Sequence, residues 1–171
     1  EVYDAYHKSR PNASPSDLYI AISTARMIGL GSITIAERKF AQQGAPVYTY
    51  IFTYESQRMV PGTNHIVGAA HAMEIAYKFD LIQPAEKTKE GSETTATRTR
   101  MDTGPDSVKT AENMSQMWST FARTGKPGAK GQPDWPAYDT TKRATMLINA
   151  ECKVVDDPFS LEREVWEQLE P

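Results

Sequence analysis

The sequence predicts an α/β fold with a mostly parallel sheet flanked by helices, of which this chain holds only a part. Three observations carry that reading. Residues 46–54 form a strand in which Val47, Tyr48, Tyr50, Ile51, Phe52 and Tyr54 leave no polar face beyond Thr49 and Thr53. Such a strand is buried on both sides, as in a parallel sheet covered by helices. Few strands accompany it: residues 144–149 (Ala-Thr-Met-Leu-Ile-Asn) and a short extended piece at 153–155. Helical patterns lie before and after these strands. Two or three strands cannot bury so much apolar surface, so the rest of the sheet is expected from residues outside 1–171.

Each element has a local reason. Ser14-Pro15-Ser16-Asp17 starts a helix, with Ser14 as N-cap, Pro15 in the first turn and Asp17 as the reciprocal capping carboxylate. Leu18, Ile20, Ala21 and Ile22 follow, and Gly29 and Gly31 interrupt the pattern. Two helices are expected, near 15–26 and 32–43, the second closed by Gly44. Beyond strand 46–54, Val60-Pro61-Gly62-Thr63-Asn64 has turn composition, and residues 72–79 include a helical turn. The stretch from about 84 to 107 holds Lys87, Lys89, Glu90, Glu93, Arg98 and Arg100 among scattered threonines, with almost nothing aliphatic. Too little apolar surface is available to order it, so a mobile surface loop is expected. Asp106 or Ser107 then caps a helix to Thr124 whose apolar face is Val108, Ala111, Met114, Met117 or Trp118, and Phe121. Glycines 125, 128 and 131 lack phosphate-loop spacing. Asp157 caps a last helix, with Pro158 in its first turn and Phe159, Val165, Trp166 and Leu169 on its apolar side.

Composition is that of a soluble globular protein, 39% hydrophobic and 24% charged. A net charge of −3 with scattered Lys and Arg argues against a nucleic-acid partner. No apolar run approaches the ~20 residues of a membrane helix, so no membrane span is expected. Cys152 is the only cysteine and forms no intrachain disulfide. The opening residues show neither an initiator Met nor a signal-peptide core, which suits an internal or processed start.

The most informative segment is Gly68-Ala69-Ala70-His71-Ala72-Met73-Glu74-Ile75-Ala76-Tyr77-Lys78-Phe79. A histidine on a loop after a strand, among small residues that let other backbone approach, suits a proton-shuttling imidazole, and equally suits a packed loop–helix junction. The segment resembles the catalytic-histidine motif of the type-B carboxylesterases, the cholinesterase-like α/β-hydrolases, roughly Gly-Ala-x-His-Gly-x-Glu-Leu-x-Tyr-x-Phe. Ala72 departs from the family's Gly. Met117–Pro127 is similar to the family's Trp-x-x-Phe-Ala-x-x-Gly-x-Pro block, Trp135-Pro136-Ala137-Tyr138 to its Trp-Pro-x-Tyr turn, and Pro46–Phe52 to its strand before the histidine. The four blocks in order cover about residues 14–166.

The resemblance implies the C-terminal segment of a single α/β-hydrolase domain spanning 1–171, its sheet completed by an N-terminal portion. It also implies carboxylic ester hydrolysis by a Ser-His-Glu/Asp triad with His71 as general base and acid, no cofactor, and a small-molecule ester as substrate. Met73 and Ala70 would lie at the substrate pocket. The Gly-x-Ser-x-Gly elbow is missing, and in chain order Ser and the carboxylate precede His. Both are therefore expected before Glu1, on a portion joined covalently or nicked and docked, and 1–171 alone should be inactive. A secreted or periplasmic location is somewhat favoured by the resemblance. The alternative is a cholinesterase-like binding or adhesion domain that has lost its nucleophile; a self-standing small α/β module fits the strand count poorly. Glu74 is read as structural. His65, His71 and Glu74 match no zinc spacing such as His-Glu-x-x-His, so no metal is expected. His7 is read as solvated.

Overall fold

The computed structural model describes residues 1–82, 84 and 102–169. They divide into two compact units. The first comprises Glu1–Thr49, Ala137–Ala144 and the chain from Asp156 onward; the second comprises Tyr50–Pro136 and Thr145–Val155.

The first unit is helical. It contains α1 (Val2–Ser9), α2 (Pro15–Thr24), a π-helical turn at Ala25–Gly29, α3 (Leu30–Ala41) and α6 (Ser160–Leu169). Tyr6, Leu18 and Trp166 form its core, with Ala21, Ile22, Leu30 and Val165 packed around them. The Trp166 indole N–H donates to the Tyr6 hydroxyl at 3.0 Å, so both rings are buried with their polar tips satisfied. The Glu162 carboxylate, 5% exposed, accepts from Ser9 at 2.6 Å and pairs with Arg10.

The start of α2 matches its sequence signature. Ser14 Oγ accepts from the Asp17 N–H at 3.2 Å, and Asp17 Oδ2 accepts from the Ser14 N–H at 3.0 Å. The expected break at Gly29 and Gly31 does not occur. Helix runs from Pro15 to Ala41, the five-residue π turn absorbing the irregularity. A glycine costs a helix only about 1 kcal/mol, less than interrupting its ladder. Gln43, at φ 51°, takes the left-handed conformation beyond α3 that Gly44 was expected to supply. Read as one helix, Pro15–Ala41 is long and apolar enough to cross a membrane by length and composition, with an 18-residue stretch of mean hydropathy 1.4. Splitting it at the glycines concealed this. Tyr19, Ile20, Met27, Ile28 and Ile35 are exposed along it.

The last helix also differs from expectation. It begins at Ser160, and Asp157 sits at φ 43° before it rather than capping it. The Asp157 carboxylate instead accepts from the Arg163 guanidinium at 2.7 Å. Arg163 also reaches Glu167 at 2.6 Å, and Arg143 reaches Glu37 at 2.7 Å.

The sheet lies mostly in the second unit, in the order β1 (Thr49–Phe52), β4 (Ala144–Ile148), β5 (Lys153–Asp156). Thr49 Oγ1 donates to the Ala144 carbonyl and the Thr53 N–H to the Ile148 carbonyl, each at 2.9 Å. Partner numbers rise together, so β1 and β4 are parallel. The short connection after β4 makes β4 and β5 an antiparallel hairpin. Two-sided burial belongs to central β4, with Ala144, Thr145, Met146 and Ile148 all buried. Strand β1 is shorter than the expected 46–54 and only half-buried, because it lies at the edge of this sheet among the described residues.

Aromatic rings fix β1 to its surroundings. Tyr50 meets Trp118 edge-on at 4.9 Å, and Phe52 meets Tyr77 at 4.9 Å. Trp118 belongs to α5 (Pro105–Thr124), whose Ala111, Met114 and Met117 are fully buried. Phe121, expected on the same face, is 46% exposed. The N-cap of α5 is Gly104, not Asp106 or Ser107. Ser107 is turned inward, where its Oγ donates to the Asp102 carbonyl at 2.7 Å. Buried Asn113 donates to the carbonyls of Asn149 and Ala150 at 3.0 and 2.9 Å, tying the β4–β5 turn to α5. The expected loop at 84–107 lies largely outside the described residues, and its last three residues belong to α5.

Candidate active site

The histidine segment leaves β1 through a hairpin that the sequence reading treated as loop. Strands β2 (Ser56–Met59) and β3 (Ile66–Gly68) pair antiparallel with a register irregularity. The turn composition at 60–64 closes them, with Gly62 at φ 77° and the Val60 N–H donating to the His65 carbonyl at 2.7 Å. Apart from buried Ser56, β2 is exposed, and only Met59 in it is apolar, so it lacked the alternation that marks a strand.

At the end of β3 the chain turns twice through left-handed backbone. Gly68 has φ 62° and Ala72 φ 65°. His71 lies between them, exposed, as are Ala69 and Ala70. The chain then enters α4 (Glu74–Lys78), with the Met73 N–H on the Ala70 carbonyl at 3.2 Å and the Ile75 N–H on the Ala72 carbonyl at 3.3 Å. Met73, Ala76 and Tyr77 are buried, whereas Ile75 and Phe79 are 49% and 70% exposed. Ile75 and Phe79, like His71, are therefore exposed, although the left-handed Ala72 stands between His71 and the helix. The imidazole of His71 has no hydrogen-bond partner among the described residues.

The other acids and histidines are occupied elsewhere or stand apart. The Glu74 carboxylate accepts from Lys78 Nζ at 3.2 Å, one turn along α4. His65 lies in the exposed β2–β3 turn, its N–H on Thr63 Oγ1 at 3.2 Å. His7 is on α1, exposed and stacked on Tyr3 at 6.0 Å. Among the described residues no group of three or more His, Cys, Asp or Glu is placed to hold a metal.

Beneath the site, a buried hydroxyl cluster joins α4 to α5. Tyr77 Oη and Ser107 Oγ are 2.9 Å apart, and Tyr54 Oη donates to the Asp102 carboxylate at 3.0 Å. Burial, and then the bond to Asp102, push the Tyr54 phenol up to about 12. Burial raises Tyr77 as well, and it raises the Cys152 thiol, which suits an inert core cysteine. Sequence reasoning missed Ile75 and Phe79 as surface and Ala72 as a left-handed residue. The signal for Ala72 was available, since the motif it resembles carries Gly there.

The sequence matches the family model described as "Carboxylesterase family" over residues 1–166. The chain belongs to the carboxylesterase family. It is 29% identical to liver carboxylesterase 1 of Oryctolagus cuniculus over 156 residues, 90% of this chain and 24% of that protein. With the para-nitrobenzyl esterase of Bacillus subtilis it shares 30% identity over 121 residues, 70% of this chain and 21% of the relative. A crystal structure of a Geobacillus stearothermophilus carboxylesterase superposes with a TM-score of 0.68 and 30% identity, covering 95% of this chain and 31% of that one. The fold is thus that of the α/β-hydrolase carboxylesterases, and this chain spans about a quarter of the length of the curated relatives it matches.

Proposed function

We propose that this carboxylesterase chain supplies the general base and acid of a serine esterase through His71, the nucleophile and carboxylate coming from residues outside 1–171. The observation that carries the reading is the placement of His71. It is exposed between two left-handed turns, without a partner among the described residues, and followed in sequence by the exposed apolar Ile75 and Phe79. An imidazole that completes its hydrogen bonds within its own chain has none left for a serine and a carboxylate.

The chemistry is acyl transfer. His71 takes the serine proton as the hydroxyl oxygen attacks the ester carbonyl, and backbone N–H groups beside the serine hold the oxyanion. The imidazolium returns that proton to the leaving alkoxide as the carbon–oxygen bond breaks, leaving the acyl group on serine. His71 then takes a proton from water, whose oxygen attacks the acyl carbon, and returns it to the serine oxygen as the acid departs. Imidazole suits both directions because its ordinary pKa of ~6.5 lies near neutrality. Ala70, exposed beside His71, is proposed to border the substrate. Met73, 7% exposed, contributes there only by its small accessible edge.

The test is His71→Ala and His71→Gln in the complete protein. Turnover of a simple aryl ester should fall by several powers of ten, roughly as other triad deletions do. A variant that keeps more than about a tenth of wild-type turnover contradicts the role, since no triad base is so dispensable.

A further inference from the structure

We infer that Ala72 is a positioning residue that sets the direction of His71 through its backbone conformation and not through its side chain. The inference rests on the role proposed for His71. Among the described residues, five other than glycine have positive φ: Gln43, Ala72, Asp80, Arg143 and Asp157. The other four carry polar side chains, each with a partner. Gln43 Nε2 donates to the Phe40 carbonyl, Arg143 to Glu37, Asp157 accepts from Arg163, and Asp80 also has an interacting partner. Ala72 has only a methyl group. L-residues other than Asn and Asp enter this region reluctantly because Cβ approaches the following carbonyl oxygen. Nothing in the Ala72 side chain offsets that cost.

The surroundings hold the conformation in place. On one side the Met73 N–H bonds the Ala70 carbonyl and Met73 is buried. On the other, the Ala72 carbonyl accepts from the Ile75 N–H in the first turn of α4. The reversal at 72 lets residue 71 stand exposed while residue 73 enters the core. Relaxing φ to a negative value rotates the 71–72 peptide relative to α4 and swings the imidazole away from its present direction. A residue that resists the left-handed region therefore misplaces His71 without touching substrate.

A substitution series in the complete enzyme separates backbone from side chain, because access to this region falls in the order Gly, Asn, Ala, Val. Kinetics on an aryl ester are read per active serine, counted by stoichiometric phosphonylation, so that only folded enzyme contributes. Ala72→Gly and Ala72→Asn should keep kcat within about threefold of wild type. Ala72→Val should lower kcat about tenfold to hundredfold with KM within about twofold, the cost of misplacing a catalytic group by an ångström or less. Wild-type kcat in Val, or a tenfold loss in Asn or Gly, overturns the inference; the latter two apply even if Val does not fold. His71→Ala, read per mole of folded protein because its serine lacks the base that phosphonylation needs, separates the two claims. If His71→Ala is inactive while Val is fully active, only the role of Ala72 fails. If His71→Ala stays active, the role of His71 fails and takes this one with it.

Discussion

The hydroxyl pair beneath the histidine gives a sharp test of what holds the site in place. Tyr77 is fully buried, its ring packed 4.9 Å from Phe52 and 5.6 Å from Tyr54, and its hydroxyl is 2.9 Å from Ser107 Oγ. Tyr77→Phe keeps those ring contacts and removes one buried hydrogen bond. Ser107 retains its bond to the Asp102 carbonyl at 2.7 Å, so no donor is orphaned, and the loss should be about 1 kcal/mol. Ser107→Ala removes both bonds and strands two buried groups, costing about 2–3 kcal/mol. The double variant should be less destabilised than the sum by about 1 kcal/mol, since the shared bond is lost only once. Urea unfolding of the complete protein, at unchanged m-value, measures all three. Because residues 70–73 are untouched, kcat per active serine should stay within about threefold in Tyr77→Phe. Strict additivity, with coupling below roughly 0.3 kcal/mol, would show that the two hydroxyls do not hold each other and refute the reasoning.

Three further outcomes follow from the same geometry. Asn113→Ala strands the Asn149 and Ala150 carbonyls and Gln132, and should destabilise by about 2–4 kcal/mol in denaturant titration. Glu74→Gln breaks only its pair with Lys78, should cost at most about 0.5 kcal/mol, and should leave ester turnover near wild type; a hundredfold loss of kcat would place that carboxylate on the imidazole instead. Folding favours the neutral phenols of Tyr54 and Tyr77, so their contribution is intact below the unfolded phenol pKa. It is lost as pH rises from 10.0 towards about 12 for Tyr54, with Tyr77 lost in the same direction. Thermal midpoints should drop across that window, and by less in Tyr54→Phe; an unchanged drop would assign it to other groups.

What the sequence made legible was wherever a local rule and the tertiary environment agree. The Ser14 capping box, strand β4 and the buried Ala111, Met114 and Met117 stripe are of that kind. Misreadings arose where a local signal was weaker than its context. Glycines 29 and 31 suggested a break, but a π turn carries the helix through them. Helix α1 was missed because only Tyr6 among its residues is buried, and its anchor, Trp166, lies 160 residues away. Asp157 looks like a cap, yet Arg163 claims its carboxylate. Apolar periodicity identifies a face without identifying what covers it. Met27, Ile35 and Phe79 are 79%, 71% and 70% exposed in a chain that spans about a quarter of its relatives' length. For the site, the His71 motif was readable as a resemblance, and the Gly that this motif carries in place of Ala72 was a sign of the left-handed backbone found there.

The central claim is that His71 serves a serine carried outside residues 1–171, and a crystal structure of the complete protein phosphonylated at its reactive serine tests it most directly. The account predicts the adduct on a Gly-x-Ser-x-Gly serine, with His71 Nε2 roughly 2.6–3.2 Å from the serine or adduct oxygen and Nδ1 donating to a carboxylate. An adducted serine whose nearest imidazole is not His71, or His71 still facing solvent in the complete protein, would contradict it.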